Sequence, residues 1–212
     1  MKRKNVLLAG VALAVAVGGI LPVSAQVKSY KDIKYPTLNE IVIPHVEKVE
    51  LANGMKLYLV EDHELPIINL SARVRVGSIF EPADKVGLAG ITGEVMRTGG
   101  TATRTGDELD DELESLAASV ETSIGETSGR AFMSVLKEDI DIGVAILADV
   151  LMNPEFREDK LDLAKVEAKS GISRRNDDPN GIVTREFGRI IYGKDSPYAR
   201  IPEYDTIENI SR

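Results

Sequence analysis

The segment "IINLSARVRVGS", residues 67–78, alternates so strictly that it leaves little choice of local structure. Ile68, Leu70, Ala72, Val74 and Val76 fall on one side, and Asn69, Ser71, Arg73 and Arg75 on the other. Because side chains of an extended chain alternate between two faces, this pattern predicts a half-buried strand with one polar face, which belongs in an antiparallel sheet wetted on one side. A weaker copy of the period precedes it. Val49 and Leu51 alternate with charged neighbours, Asn53-Gly54 supplies a hairpin turn, and Met55, Leu57 and Leu59 resume the alternation.

Beyond residue 78 the period changes to that of a helix. Residues 86–97 read as one helix, and Thr105 with Glu108 as the capping box of a second, whose apolar stripe is Leu109, Leu113 and Leu116. "SVETSIGETSGRAFMSVL" reads as two further strands joined at Gly125. Three helices follow: 140–152, stopping before Pro154; 158–176, with Leu161, Ala164, Ala168 and Ile172 on one side; and 182–192, ending at Gly193. Antiparallel neighbours among the strands and consecutive groups of helices predict an α+β fold, an antiparallel sheet with helices packed on one face. Residues 26–45, with Pro36 and Pro44, read as an extended lead-in, 46–212 as the domain, and the final "YDTIENISR" as part of a polar connection.

The chain opens with Lys2, Arg3 and Lys4, then an uncharged apolar run over 6–21, Pro22 and the small-residue triplet Val23-Ser24-Ala25. That order predicts a secretory signal peptide over residues 1–25, cleaved after Ala25, with the protein exported to a bacterial periplasm and no stable membrane span left behind. An uncleaved anchor is the competing reading, but Pro22 interrupts a run already short for a span. Removing the leader leaves 187 of 212 residues and, because it carries three positive charges and no negative ones, moves the formal charge from −8 to −11. So acidic a domain is a poor partner for nucleic acid. Without any cysteine, disulfides, thiolate nucleophiles and Cys-based zinc sites are excluded.

"GLAGITGEVMRTGGT", residues 87–101, sets helical apolar spacing (Leu88, Ile91, Val95) against glycines at 87, 90 and 93. An interior glycine costs a helix about 1 kcal/mol relative to alanine, so some other constraint must hold them. With Ala89, the bare surface at Gly90 and Gly93 predicts close approach of another backbone.

The order of "LANGMKLYLVEDHELPIINLSARVRVGS", "GLAGITGEVMRTGGT", "DIDIGVAILADVLMNPEF" and "NDDPNGIV" resembles the pitrilysin/insulinase family of zinc metallopeptidases, which includes the mitochondrial processing peptidase subunits. The resemblance implies that family's metallohydrolase fold, N-terminal half. In such peptidases this helix carries H-x-x-E-H: two histidines one turn apart grip zinc, the glutamate activates its water, and a glutamate from a later helix completes the ligand set. Laid on this sequence, the first histidine falls on Gly90, the catalytic glutamate on Gly93, the second histidine on Glu94 and the later glutamate on Gly171. Three of the four positions thus lack side chains. The expectation is no catalytic residue, no metal ligand set and no cofactor, although zinc is what the family would hold.

Nothing else in the sequence replaces that chemistry. His63 in "HELPI" has Ile67 where a second ligand would stand and Pro66 to break the helix, and His45 has no ligand at the matching offsets. No serine sits in G-x-S-x-G, and "TGGTATRTG" lacks the lysine of a phosphate-binding loop and reads as a turn before the capped helix. "DELDDELE" reads as a solvated face, with binding of a basic peptide as the alternative.

The resemblance implies a degenerate, non-catalytic member of the family, paired with a zinc-bearing insulinase-family homologue and positioning a peptide substrate or stabilising that partner. It also implies that only the first of two related halves is present, truncated at its C-terminal end. A stand-alone periplasmic peptide-binding scaffold, using residues 69–75 as an edge for β-augmentation, is the alternative. An active metallopeptidase with unconventional ligands is the third reading.

Overall fold

β-Pairing in this protein follows the apolar alternation. The computed structural model describes residues 29–212, and the expected leader lies outside the described residues. Two compact units divide the chain, one running through Glu61 and the other from Asp62 to Arg212.

In the first unit a 3-10 turn at Tyr30–Asp32 leads into an exposed extended run, then strands β1 (Glu47–Glu50) and β2 (Lys56–Leu59). They pair antiparallel with Val49 opposite Leu57. Asn53 and Gly54 make the expected turn: the Asn53 side-chain oxygen accepts from the Met55 N–H at 3.0 Å, and Gly54 takes a left-handed φ of 83°.

In the second unit strand β3 (Ile67–Val74), β4 (Ser119–Ile124) and β5 (Gly129–Leu136) form an antiparallel sheet in the order β3-β5-β4. Leu70 and Val120 both stand opposite Met133. One face, with Ile68, Leu70, Ala72, Val120, Met133 and Val135, is covered by helices. On the other the Arg130 guanidinium lies 5.2 Å from the Phe132 ring centre and donates to the Ser71 hydroxyl at 3.1 Å. The strand ends at Val74, paired with Gly129, so the apolar alternation outruns the pairing at Val76, and both valines stay partly exposed.

Six helices stand among the described residues: α1 (Leu88–Thr98), α2 (Gly106–Ser115), α3 (Ile140–Met152), α4 (Glu158–Arg174), α5 (Pro179–Tyr192) and α6 (Tyr204–Glu208). The Thr105–Glu108 capping box is formed in both directions, and α3 has the expected bounds. Helix α1 starts at Leu88 rather than at 86, because Gly87 takes a φ of 107° and serves as its N-cap. Helix α5 starts at Pro179 rather than at 182, since Asp178 accepts from the Asn180 and Gly181 N–H groups at 3.1 and 3.0 Å, with proline in the first turn.

Two apolar clusters form. Leu109, Leu113, Val120, Met133, Ile146 and Val150 make the one beneath the sheet. Ile91, Val95, Leu161, Ala164, Ile172, Ile207 and Ile210 make the other, between α1, α4 and the C-terminal segment. Helix α1 serves both, with Val95 in the second cluster and Met96 against the first.

The reading of "YDTIENISR" as a polar connection is corrected. Its polar residues outnumber its apolar ones, but Ile207 and Ile210 share a face and are almost completely buried, and Glu203 and Thr206 cap the helix reciprocally. We expect Ile207→Ala to cost about 2–5 kcal/mol in denaturant unfolding, whereas a surface connection would change by less than about 0.5 kcal/mol.

Asp149 gathers the loop before α2. It accepts from the Asn153 amide at 2.9 Å, the Arg104 guanidinium at 3.2 Å and the Thr103 hydroxyl at 3.2 Å. These hydrogen bonds, the one from Asn153 foremost, hold its carboxyl well below the usual 3.8, at about 2. A depressed folded-state pKa means that the stabilisation is complete above about pH 4 and is lost as the pH falls toward 2. Asp149→Asn is therefore expected to flatten the stability profile between those limits; an unchanged acid limb in chemical unfolding would contradict this role.

Candidate functional site

The helix with the glycines, α1, is fastened at both ends before any chemistry is considered. At its start the buried Glu81 carboxylate accepts from the Gly87 N–H at 3.1 Å and from the Ala89 N–H, occupying donors that an N-terminal turn leaves free. Arg200 donates to the Glu81 carbonyl at 2.9 Å, so the segment after α5 braces the same point. Near its end the buried Arg97 donates to the Val120 carbonyl of β4 at 2.8 Å and pairs with Asp110 of α2 at 2.6 Å. The turn that follows is held by Arg157, whose guanidinium donates to the Gly99 and Thr101 carbonyls.

Between these anchors the four positions singled out in the sequence fare differently. Gly93 is buried against β4: the Thr122 hydroxyl donates to its carbonyl at 2.6 Å, and a Cβ on Gly93 would fall 2.4 Å from the Ile124 nitrogen. The expected close approach of another backbone therefore occurs at Gly93. It does not occur at Gly90, where a Cβ would meet nothing within 4 Å. Gly90 lies on the exposed side of α1, one turn from Glu94, and the open surface explains why no neighbour reaches it. Gly171, on α4, is equally open.

Glu94 lines a cleft of about 280 Å³ with Gly90, Thr98, Glu121 and Thr122. Its carboxyl is pushed above the usual carboxylate range, first by partial burial and then by the Glu167 carboxylate. Glu167 is the residue that sequence reading missed. It sits four positions before Gly171 on α4, and that one-turn spacing was its only signal.

The donor set does not fit zinc. One carboxylate at position 94, repelled by another from α4, offers neither the imidazoles nor the base that a catalytic site of this kind needs. Among the described residues no group of three or more histidines, cysteines or carboxylates is placed to hold a metal. His45 and His63 are both exposed, on different units of the chain.

An antiparallel sheet covered on one face by helices, with a helix packed through a glycine against its edge strand, makes the larger unit an α+β domain. The model of the insulinase family, peptidase family M16, matches residues 57–197, and the chain belongs to that family. An uncharacterised zinc protease of Rickettsia bellii is 26% identical over 168 residues, 77% of this chain and 40% of the relative. Another from Mycobacterium leprae is 27% identical over 167 residues, 77% of this chain and 36% of the relative. The chain thus spans about two-fifths of the length of the curated relatives it matches.

Solved structures agree on the fold. A peptidase M16 inactive domain from Pseudomonas fluorescens superposes with a TM-score of 0.73 at 23% identity, covering 78% of this chain and 40% of that one. The periplasmic protease PqqL from Escherichia coli gives 0.67 at 10% identity, covering 80% of this chain and 19% of that one. No helix among the described residues is long and apolar enough to cross a membrane.

Replacing Glu167 with glutamine should lower the Glu94 pKa, followed by carboxyl NMR titration, since it removes the like charge while keeping the shape. A Glu94 titration that does not move would contradict the coupling between α1 and α4.

Proposed function

We propose that this chain is a non-catalytic member of the insulinase family, exported to the periplasm, which pairs with a zinc-bearing homologue and helps to position its peptide substrate. The observation that carries the reading is the state of the four positions at which the family resemblance places ligands and base. Gly90, Gly93 and Gly171 have no side chain, and Glu94 is a lone carboxylate beside Glu167. Water activation needs a metal held by several donors together with a base, and no such group stands at this place.

Two further features favour a protein that works beside another. The Pseudomonas fluorescens domain of the same fold is described as inactive, which makes loss of catalysis in a related domain a precedent. Helix α5 has no buried residue and exposes Val183, Phe187, Ile190 and Ile191, an apolar face of the kind that further protein covers. The periplasmic assignment rests on the charged, apolar and small-residue order of residues 1–25 and on the periplasmic protease of similar fold.

A second reading is a stand-alone peptide-binding scaffold. It is favoured by the position of β3 at an edge of its sheet, where residues 69–74 could take up an extended peptide.

The chain purified alone is expected to cleave no peptide, and purified from native periplasm it should bring down a homologue bearing H-x-x-E-H. Chelator-sensitive peptidase activity in the isolated chain would overturn the non-catalytic reading. Recovery without any such homologue would favour the scaffold.

A further inference from the structure

We infer that Gly93 is fixed by packing: the fold excludes a side chain at 93, so the base that the family resemblance places there cannot be restored in this chain, whatever stands at 90, 94 and 171. The inference rests on the non-catalytic reading above and deepens it: β4 stands in the space from which the base would project.

The three glycines at the expected site are not equivalent. A Cβ at Gly90 or Gly171 meets nothing within 4 Å, so these positions can accept side chains without movement. A Cβ at Gly93 falls 2.4 Å from the Ile124 nitrogen and 2.9 Å from both the carbonyl carbon and the Cα of Ser123. All three obstacles are backbone atoms, which cannot swing aside as a side-chain tip can. Reaching ordinary contact at 3.4 Å would require α1 and β4 to separate by about 1 Å.

That separation is opposed from every side. The Thr122 hydroxyl bonds the Gly93 carbonyl at 2.6 Å, and Arg97, one turn further along α1, bonds the Val120 carbonyl of the same strand at 2.8 Å. Along its other edge β4 is paired with β5 from Ser119 to Ile124. The start of α1 is held by Glu81. Close-packed interiors of this kind do not yield smoothly to added volume. Absence of the base and approach of the strand are therefore one structural feature, and Gly93 is retained by the fold independently of any catalytic history.

The test compares Gly90→Ala, Gly171→Ala and Gly93→Ala in the chain by denaturant unfolding, and Gly90→His/Glu94→His/Gly171→Glu with and without Gly93→Glu in the same assay. Gly90→Ala and Gly171→Ala are expected to raise the folding equilibrium constant by up to about five-fold, the helix-propensity gain. Gly93→Ala is expected to lower it by about ten-fold or more, or to prevent folding. Adding Gly93→Glu to the histidine-bearing variant is likewise expected to lower its folding equilibrium constant by about ten-fold or more, or to prevent folding. Gly93→Ala as stable as Gly90→Ala would overturn the inference while leaving the non-catalytic reading in place. A four-position variant as stable as the three-position one would overturn it as well. Peptidase activity in the unaltered chain bears only on the proposed function, so the two failures are distinguishable.

Discussion

The contact between the Gly93 backbone of α1 and the edge strand β4 governs the architecture of the larger unit. With a side chain at that point the helix could not lie where it does. Because it lies there, Val95 enters the cluster with Ile172 and Ile207 while Met96 rests on the cluster beneath the sheet. A helix spanning two apolar clusters couples them, and the polar bonds of Arg97 and Glu81 fix its position along the strand. An interior glycine gives up about 1 kcal/mol of helix propensity. Burial of Ile91 and Val95 offsets it, at about 1.5–3 kcal/mol for a fully buried aliphatic side chain.

That balance changes the meaning of the glycines. Gly90 and Gly93 look alike in sequence, since each replaces a residue that the resemblance assigns to the metal centre. In the fold they differ: Gly90 borders an open cleft, and Gly93 lies against the backbone of β4. Glu94 remains in that cleft as an ionisable group whose proton is held more tightly than usual by its surroundings and by Glu167. The carboxylates of Glu94 on α1 and Glu167 on α4 repel, and no third histidine, cysteine or carboxylate among the described residues is placed with them to hold a metal.

Much of the fold was legible because its signals are local. Alternation in residues 67–76 and the paired strands around Gly125 led directly to the antiparallel sheet, and the run before Pro154 defined α3. The Thr105–Glu108 box needs only four residues to be recognised. What escaped reading depends on residues far apart in the chain. Ile207 and Ile210 look like a minority in a polar tail until α1 and α4 bury them. Glu81 becomes a helix cap only because the chain folds back so that Gly87 and Ala89 present their N–H groups to it. The neighbour of Gly93 comes from a strand about thirty positions later, so the reason for that glycine lay outside any local window, although the need for a close approach did not. The candidate site was legible as a set of positions and illegible as a shape.

The central claim is that the cleft beside Gly90 and Glu94 is not a metal centre. The most direct measurement is a crystal structure of the chain grown with excess zinc and recorded on both sides of the zinc absorption edge. The account predicts no anomalous peak between α1, β4 and α4. A full-occupancy peak there, within bonding distance of Glu94 and Glu167, would contradict it.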